Sequence, residues 1–138
     1  VGQFQSSQAT LRVIGDTLLP DEVTRLFGRE PSASQRKGER FVGSKTGSQW
    51  TAKTGMWRLE ATEREPEDLL AQIAELLGKL PDNMDVWTKI RETNEIDLFV
   101  GLFMSSGNNG VSISPAQLLA LGERGIELVM DVYDPSED

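Results

Sequence analysis

The stretch EIDLFVGLFMSSGNNGVSISPAQLLALGERGIELVMDVYD, residues 95–134, carries the densest apolar pattern in the chain. Ile96, Leu98, Val100, Leu102 and Met104 recur at period two, so they share one face of a strand. The alternate positions Asp97, Phe99, Gly101, Phe103 and Ser105 are mixed rather than polar, which predicts a strand in the middle of a sheet. Residues 105–110 supply a turn, because Gly and Asn accept the positive φ angles of hairpins, and 111–114 is expected as a short partner strand. Ser114, Pro115 and Gln117 mark a helix start, with Ser as N-cap and Pro in the first turn. That helix carries Leu118, Leu119 and Leu121 and closes at Gly125. Ile126, Leu128, Met130 and Val132 then alternate with Glu127, Val129, Asp131 and Tyr133 in a closing strand.

Outward from this stretch, residues 9–15 read as a first strand with Leu11 and Val13 on one face. Residues 18–28 read as a short helix: Pro20 in its first turn, Asp21 and Glu22 at its positive end, Val23, Leu26 and Phe27 as its apolar stripe, Gly28 as its stop. Residues 29–54 are polar, basic and rich in Gly and Ser, and are expected as a long loop with a short strand near 49–53. A strand follows at 55–61, with Trp57 and Leu59 on one side. Leu69, Leu70, Ile73, Leu76, Leu77 and Leu80 fall at helical spacing and predict a helix over 66–80. Residues 84–90 are read as another strand. The expected fold is α+β: a two-layer sandwich with a largely antiparallel sheet, in ferredoxin-like βαββαβ order followed by a ββαβ extension. Residues 9–134 form its single domain. Residues 1–8 are expected to be disordered or not native, since a start at Val1 implies processing, trimming or engineering. Residues 135–138 are expected as an acidic tail.

The composition narrows the chemistry further. There is no Cys, hence no disulfide, thiolate nucleophile or Cys-ligated metal, and no His, the commonest general base and transition-metal ligand. No apolar run reaches membrane-span length, and the N-terminus lacks the basic and apolar regions of a signal peptide. A cytoplasmic location is expected. The net charge is −8, which opposes general binding of nucleic-acid backbones. The charge is unevenly spread, because residues 29–58 hold seven bases and two acids and so leave −13 to the remainder.

Several segments together resemble a bacterial family known as domain of unknown function 4279. They are LLPDEVTRLFG at 18–28, the Arg36-Lys37-Gly38 tripeptide, GMWRLE at 55–60, LLGKL at 76–80, GVSISPAQLLALGERG at 110–125 and IELVMDVYD at 126–134. The resemblance covers nearly the whole domain and implies a small bacterial intracellular domain. It brings no assigned activity and no catalytic residues.

Two groups of residues are candidate sites. Arg36, Lys37, Arg40, Lys45 and Lys53, with Trp50 and Trp57 nearby, could form an anion-binding surface, or could be solvated bases compensating an acidic protein. Within this segment GERFVGSKT, residues 38–46, is not a phosphate loop: Ser44 separates Gly43 from Lys45, and no apolar strand precedes it. Trp57 and Trp87 are expected in the core; Trp50 could stack on a planar ligand. Phe99, Phe103, Val129 and Tyr133 lie opposite the Leu and Val rows of their strands. With helices on one side of the sheet only, they make an exposed contact patch; with a second layer, such as the long loop folded over them, they are core.

No local pattern of Asp and Glu points to a metal, a cofactor or a catalytic residue. Asp82, Asp85, Asp131 and Asp134 could gather a hard cation through oxygen ligands, but residues 82–85 lack calcium-loop spacing and residues 134–138 read as a solvated acidic tail. The expected function is therefore a non-catalytic protein-interaction module, meeting a protein partner or a second copy of itself through a sheet face. The alternative is a binder of, or an enzyme acting on, a small anionic ligand through residues 29–58. Nucleic acid and membrane are not expected partners.

Overall fold

The computed structural model describes residues 1–135, so most of the expected acidic tail, residues 136–138, lies outside the described residues. In chain order the elements are β1 (Gly2–Gln3), β2 (Ser6–Gly15), α1 (Pro20–Phe27), β3 (Ala33–Gln35), β4 (Arg40–Val42), β5 (Gln49–Thr51), β6 (Gly55–Glu60), α2 (Leu69–Lys79), α3 (Met84–Arg91), β7 (Glu95–Phe103), β8 (Asn109–Gly110), α4 (Pro115–Glu123) and β9 (Glu127–Tyr133). The fold is α+β.

The main sheet has the order β3-β6-β2-β7-β9. Its first three pairings are antiparallel, and β9 joins β7 in parallel through the α4 crossover. Strand β2 lies in the middle, and its alternate residues Ala9, Leu11 and Val13 are buried. With Trp57, Leu59, Ile96, Leu98, Val100 and Leu102 they form one apolar face, and the helices pack on it. Phe27 of α1 sits between two indoles, 5.0 Å from Trp57 and 4.9 Å from Trp87. Both indole N–H groups are satisfied inside this core, Trp57 donating to Thr24 Oγ1 and Trp87 to the Pro81 carbonyl.

Several caps expected from the sequence are present. Pro20 opens α1, and Gly28 closes it at φ 68°, a left-handed conformation that glycine adopts without strain. Ser114 Oγ accepts the Gln117 N–H at the start of α4. Helix α2 begins three residues later than expected, because Asp68 serves as its N-cap by accepting the Ala71 N–H.

Three expectations are corrected. Residues 84–90 are not a strand: α3 occupies Met84–Arg91, capped by Asn83 accepting the Asp85 N–H, and Trp87 and Ile90 are buried at helical spacing. Apolar residues at 84, 86, 87 and 90 fit both periods, and the cap decides between them. Residues 111–114 form no hairpin partner for β7, whose two edges are already filled by β2 and β9. The turn instead returns to the N-terminus: β8 pairs with β1, and Asn109 accepts the Ser105 and Ser106 N–H groups while donating to the Gln3 carbonyl. Residues 1–8 accordingly carry β1 and the start of β2, with Phe4 and Ser7 buried. The long loop 29–54 contains its expected short strand as β5, and also β3 on the sheet edge and β4, which pairs with β5 as a separate hairpin. As a result the element order is ββαββββααββαβ, rather than the expected βαββαβ followed by ββαβ.

One buried polar group ties the layers together. Gln72 on α2 is fully buried; its amide donates to the carbonyls of Ser7 and Thr62, and its Oε1 accepts the Ser7 hydroxyl at 2.7 Å. The Ser7 hydroxyl in turn accepts the Asp68 N–H. Replacing Gln72 by Leu strands the Thr62 carbonyl and the Ser7 hydroxyl, and each such group costs on the order of 1–3 kcal/mol. The expected loss is about 2–3 kcal/mol, seen as a lower urea midpoint with an unchanged slope. A shift below about 0.5 kcal/mol would show that the clamp contributes nothing net.

Candidate interaction surface

The second face of the sheet is built from the alternate residues of the same strands, and the register aligns them in rows. One row runs Ala33, Arg58, Arg12, Asp97, Glu127; the next runs Glu60, Thr10, Phe99, Val129. Beyond them come Gln8, Gly101 and Asp131, then Ser6, Phe103 and Tyr133. No helix among the described residues covers these rows. Phe99, Phe103 and Val129 are half-buried and Tyr133 is 44% exposed, whereas Leu98, Val100 and Leu102 on the other face are buried.

Arg12 organises the middle of the face. Its Nε donates to Asp97 Oδ1 at 2.8 Å and its Nη2 to Asp97 Oδ2 at 2.7 Å, a bidentate pair across neighbouring strands. The guanidinium carbon stands 4.6 Å from the centroid of the Phe99 ring. The hydrogen bonds to Asp97 raise the Arg12 pKa against the opposing effect of partial burial, so the group stays charged. At the far end Phe103 and Tyr133 stack with centroids 4.7 Å apart and planes at 11°. Gly101 leaves room for them: a Cβ there would stand 3.7 Å from Phe103 and 3.8 Å from Tyr133. The Tyr133 hydroxyl donates to Asp131 Oδ2 at 2.7 Å, and this bond, with the carboxylate charge, pushes its pKa above the ordinary phenol value.

The basic segment is placed differently. Arg36, Lys37, Arg40, Lys45 and Trp50 are all exposed. Lys37 pairs with Asp16 at 3.2 Å, which holds the Asp16 carboxyl below its usual range with help from a Thr54 hydrogen bond. Trp50 faces Phe41 across the β4–β5 hairpin, with centroids at 5.6 Å, and Arg40 lies opposite Thr51. Lys45 sits in the turn of that hairpin. Arg36 and Lys37 precede the hairpin and Arg40 and Lys45 lie on it, whereas Trp57, expected beside them, is buried in the core. A wide cleft of about 970 Å³ lies elsewhere, lined by Val1, Arg64, Glu67, Asp68, Leu70 and Val111 among others.

Phe99, Phe103, Val129 and Tyr133 thus share one uncovered face, while Arg36, Lys37, Arg40, Lys45 and Trp50 lie exposed along residues 36–50. Sequence reading missed the Arg12–Asp97 pair and weighed Asp131 only as a cation ligand. Their signal was a charge at alternate strand positions, informative only once β2 and β7 are known to be neighbours. No cluster of three or more Asp and Glu suited to a metal occurs among the described residues. No helix among them is long and apolar enough to cross a membrane.

A double-mutant cycle with Arg12→Met and Asp97→Asn is expected to give a coupling of about 1 kcal/mol, the upper range for a partly exposed pair. A value near zero would reduce the pair to a geometric coincidence. Tyr133 is the only tyrosine in the chain, so the ultraviolet phenolate signal reports on it alone. The titration should lie above pH 10 in the native protein and move down in Asp131→Asn. An unchanged midpoint would mean the hydroxyl is not held by Asp131 in solution.

The family model described as "Domain of unknown function (DUF4279)" matches residues 4–135. No curated protein and no solved structure matches the chain. Coverage of nearly the entire length establishes membership: this chain belongs to the DUF4279 family.

Proposed function

We propose that this chain is a non-catalytic protein-interaction module that receives a protein partner, a second copy included, on the open face of its main sheet. The observation that carries the reading is the uncovered group of Phe99, Phe103, Val129 and Tyr133 on a face that the helices leave bare. Aromatic area running alongside a row of charges is the composition of a contact surface. Here the charges are Arg12, Arg58, Asp97 and Glu127, which can fix the orientation of a partner. An acidic chain without His or Cys accords with a cytoplasmic binding protein and disfavours nucleic acid as partner.

A second reading, a small anionic ligand held by residues 29–58, is favoured by one observation. Arg40 and Lys45 have no charged partner among the described residues, so their cations are free to receive an anion.

Affinity capture of partners from a bacterial extract separates the two when run with paired variants. A protein retained by the native chain and by R36Q/K37Q/R40Q, but lost in F99A/Y133A, is the expected result. Retention by F99A/Y133A would remove the open face as the binding site. A melting-temperature rise with an anionic metabolite, abolished in R36Q/K37Q/R40Q, would transfer the function to the hairpin.

A further inference from the structure

The two edges of the main sheet are unequal. Strand β3 is three residues long, the short edge with which proteins blunt unwanted pairing. At the other edge β9 runs for seven residues, ELVMDVY, without Pro or Lys. The Met104 N–H bonds to the Tyr133 carbonyl, so the carbonyl of Tyr133 points inward to β7. Backbone groups alternate along a strand, so Val129 and Asp131 also point inward, and the N–H and C=O groups of Leu128, Met130 and Val132 point outward. No strand among the described residues receives them.

Apolar side chains accompany these free backbone groups. Leu128, Met130 and Val132 align with Leu98, Val100 and Leu102 and so lie on the helix side of the sheet. Yet Met130 is 48% and Val132 52% exposed, because no strand among the described residues stands beyond them. In α4, Leu121 turns to the core and Gln117 to α2, where its amide donates to the Leu70 carbonyl. The helical step of about 100° then puts Leu118, itself 51% exposed, on the flank away from α2 and towards the β9 edge.

We infer that β9 pairs antiparallel with β9 of a second copy, across a twofold axis at Met130, joining two five-stranded sheets into one. This is a different surface from the open face and does not depend on what that face binds. The choice of a second copy rests on self-complementarity. Outward-pointing residues must oppose outward-pointing residues, so the long registers are centred on residue 129, 130 or 131. Centring on 129 sets Glu127 against Asp131 of the other copy, and centring on 131 sets Asp131 against itself, both like-charge pairs. Centring on 130 sets Glu127 against Tyr133 and Asp131 against Val129, leaving the acids no nearer than diagonal. It also bonds Leu128 to Val132 and Met130 to Met130, and brings the two exposed Leu118 flanks to the same side of the sheet.

The test uses the full chain, which has no cysteine of its own. Sedimentation velocity over a concentration series should show a monomer–dimer equilibrium. M130K, which sets two lysines face to face at a position already exposed in the monomer, should weaken it by about tenfold or more. Under mild oxidation M130C should form an intermolecular disulfide readily, because bonded antiparallel neighbours stand about 5.5 Å apart at Cα, within disulfide reach. V129C and V132C should link far more slowly. A chain that stays monomeric throughout would overturn the inference. So would V129C or V132C linking as fast as M130C, or a dimer insensitive to M130K and lost in F99K, which would place self-association on the open face instead.

Discussion

The one-sided burial of β2 is the constraint on which the rest of this structure depends. As the middle strand it pairs with both β6 and β7, so its alternation of Ala9, Leu11 and Val13 against Gln8, Thr10 and Arg12 sets the faces of its neighbours. Helices α1, α2 and α3 are drawn to the apolar face, where Trp57, Phe27 and Trp87 fill the space between layers. Arg12, at the centre of the other face, would be costly to bury without full pairing. The bidentate bond to Asp97 and the contact with Phe99 instead let it lie on a surface that stays in water.

The same arrangement explains where the exposed apolar area falls. A sheet with helices on one side leaves its second face and its outermost long strand unpartnered. Here both run together along β9, whose Tyr133 and Val129 belong to the open face and whose Met130 and Val132 form the rim of the core. One strand therefore contributes to both proposed contacts. The Gln72 clamp works at the opposite side of β2, where it secures Ser7 and Thr62 to α2 and holds the early chain in place.

Much of the architecture was legible in the sequence, for reasons that differ by element. Strand β9, helix α4 and helix α1 were plain because period and caps agree: Ser114 before Pro115, Pro20 at the start, Gly28 and Gly125 at the ends. Helix α3 was missed because its apolar spacing suits either period and Asn83 was not read as an N-cap. Gln72 lies three residues after Leu69 and four before Leu76, on the buried face, but a polar residue there was passed over. The open face was half legible. Its aromatics were visible as the alternate set of β7 and β9, whereas the Arg12–Asp97 pair required knowing that residues 85 positions apart are strand neighbours.

Solvent paramagnetic relaxation, read residue by residue on the side chains of β2 and β7, tests the one-sided sheet most directly. At dilutions where single copies prevail, enhancement should alternate at period two. It should be strong at Thr10, Arg12, Phe99 and Phe103, and weak at Leu11, Val13, Leu98 and Val100. Equal protection of both sets at every dilution would contradict it, since a second layer would then cover the face left open here.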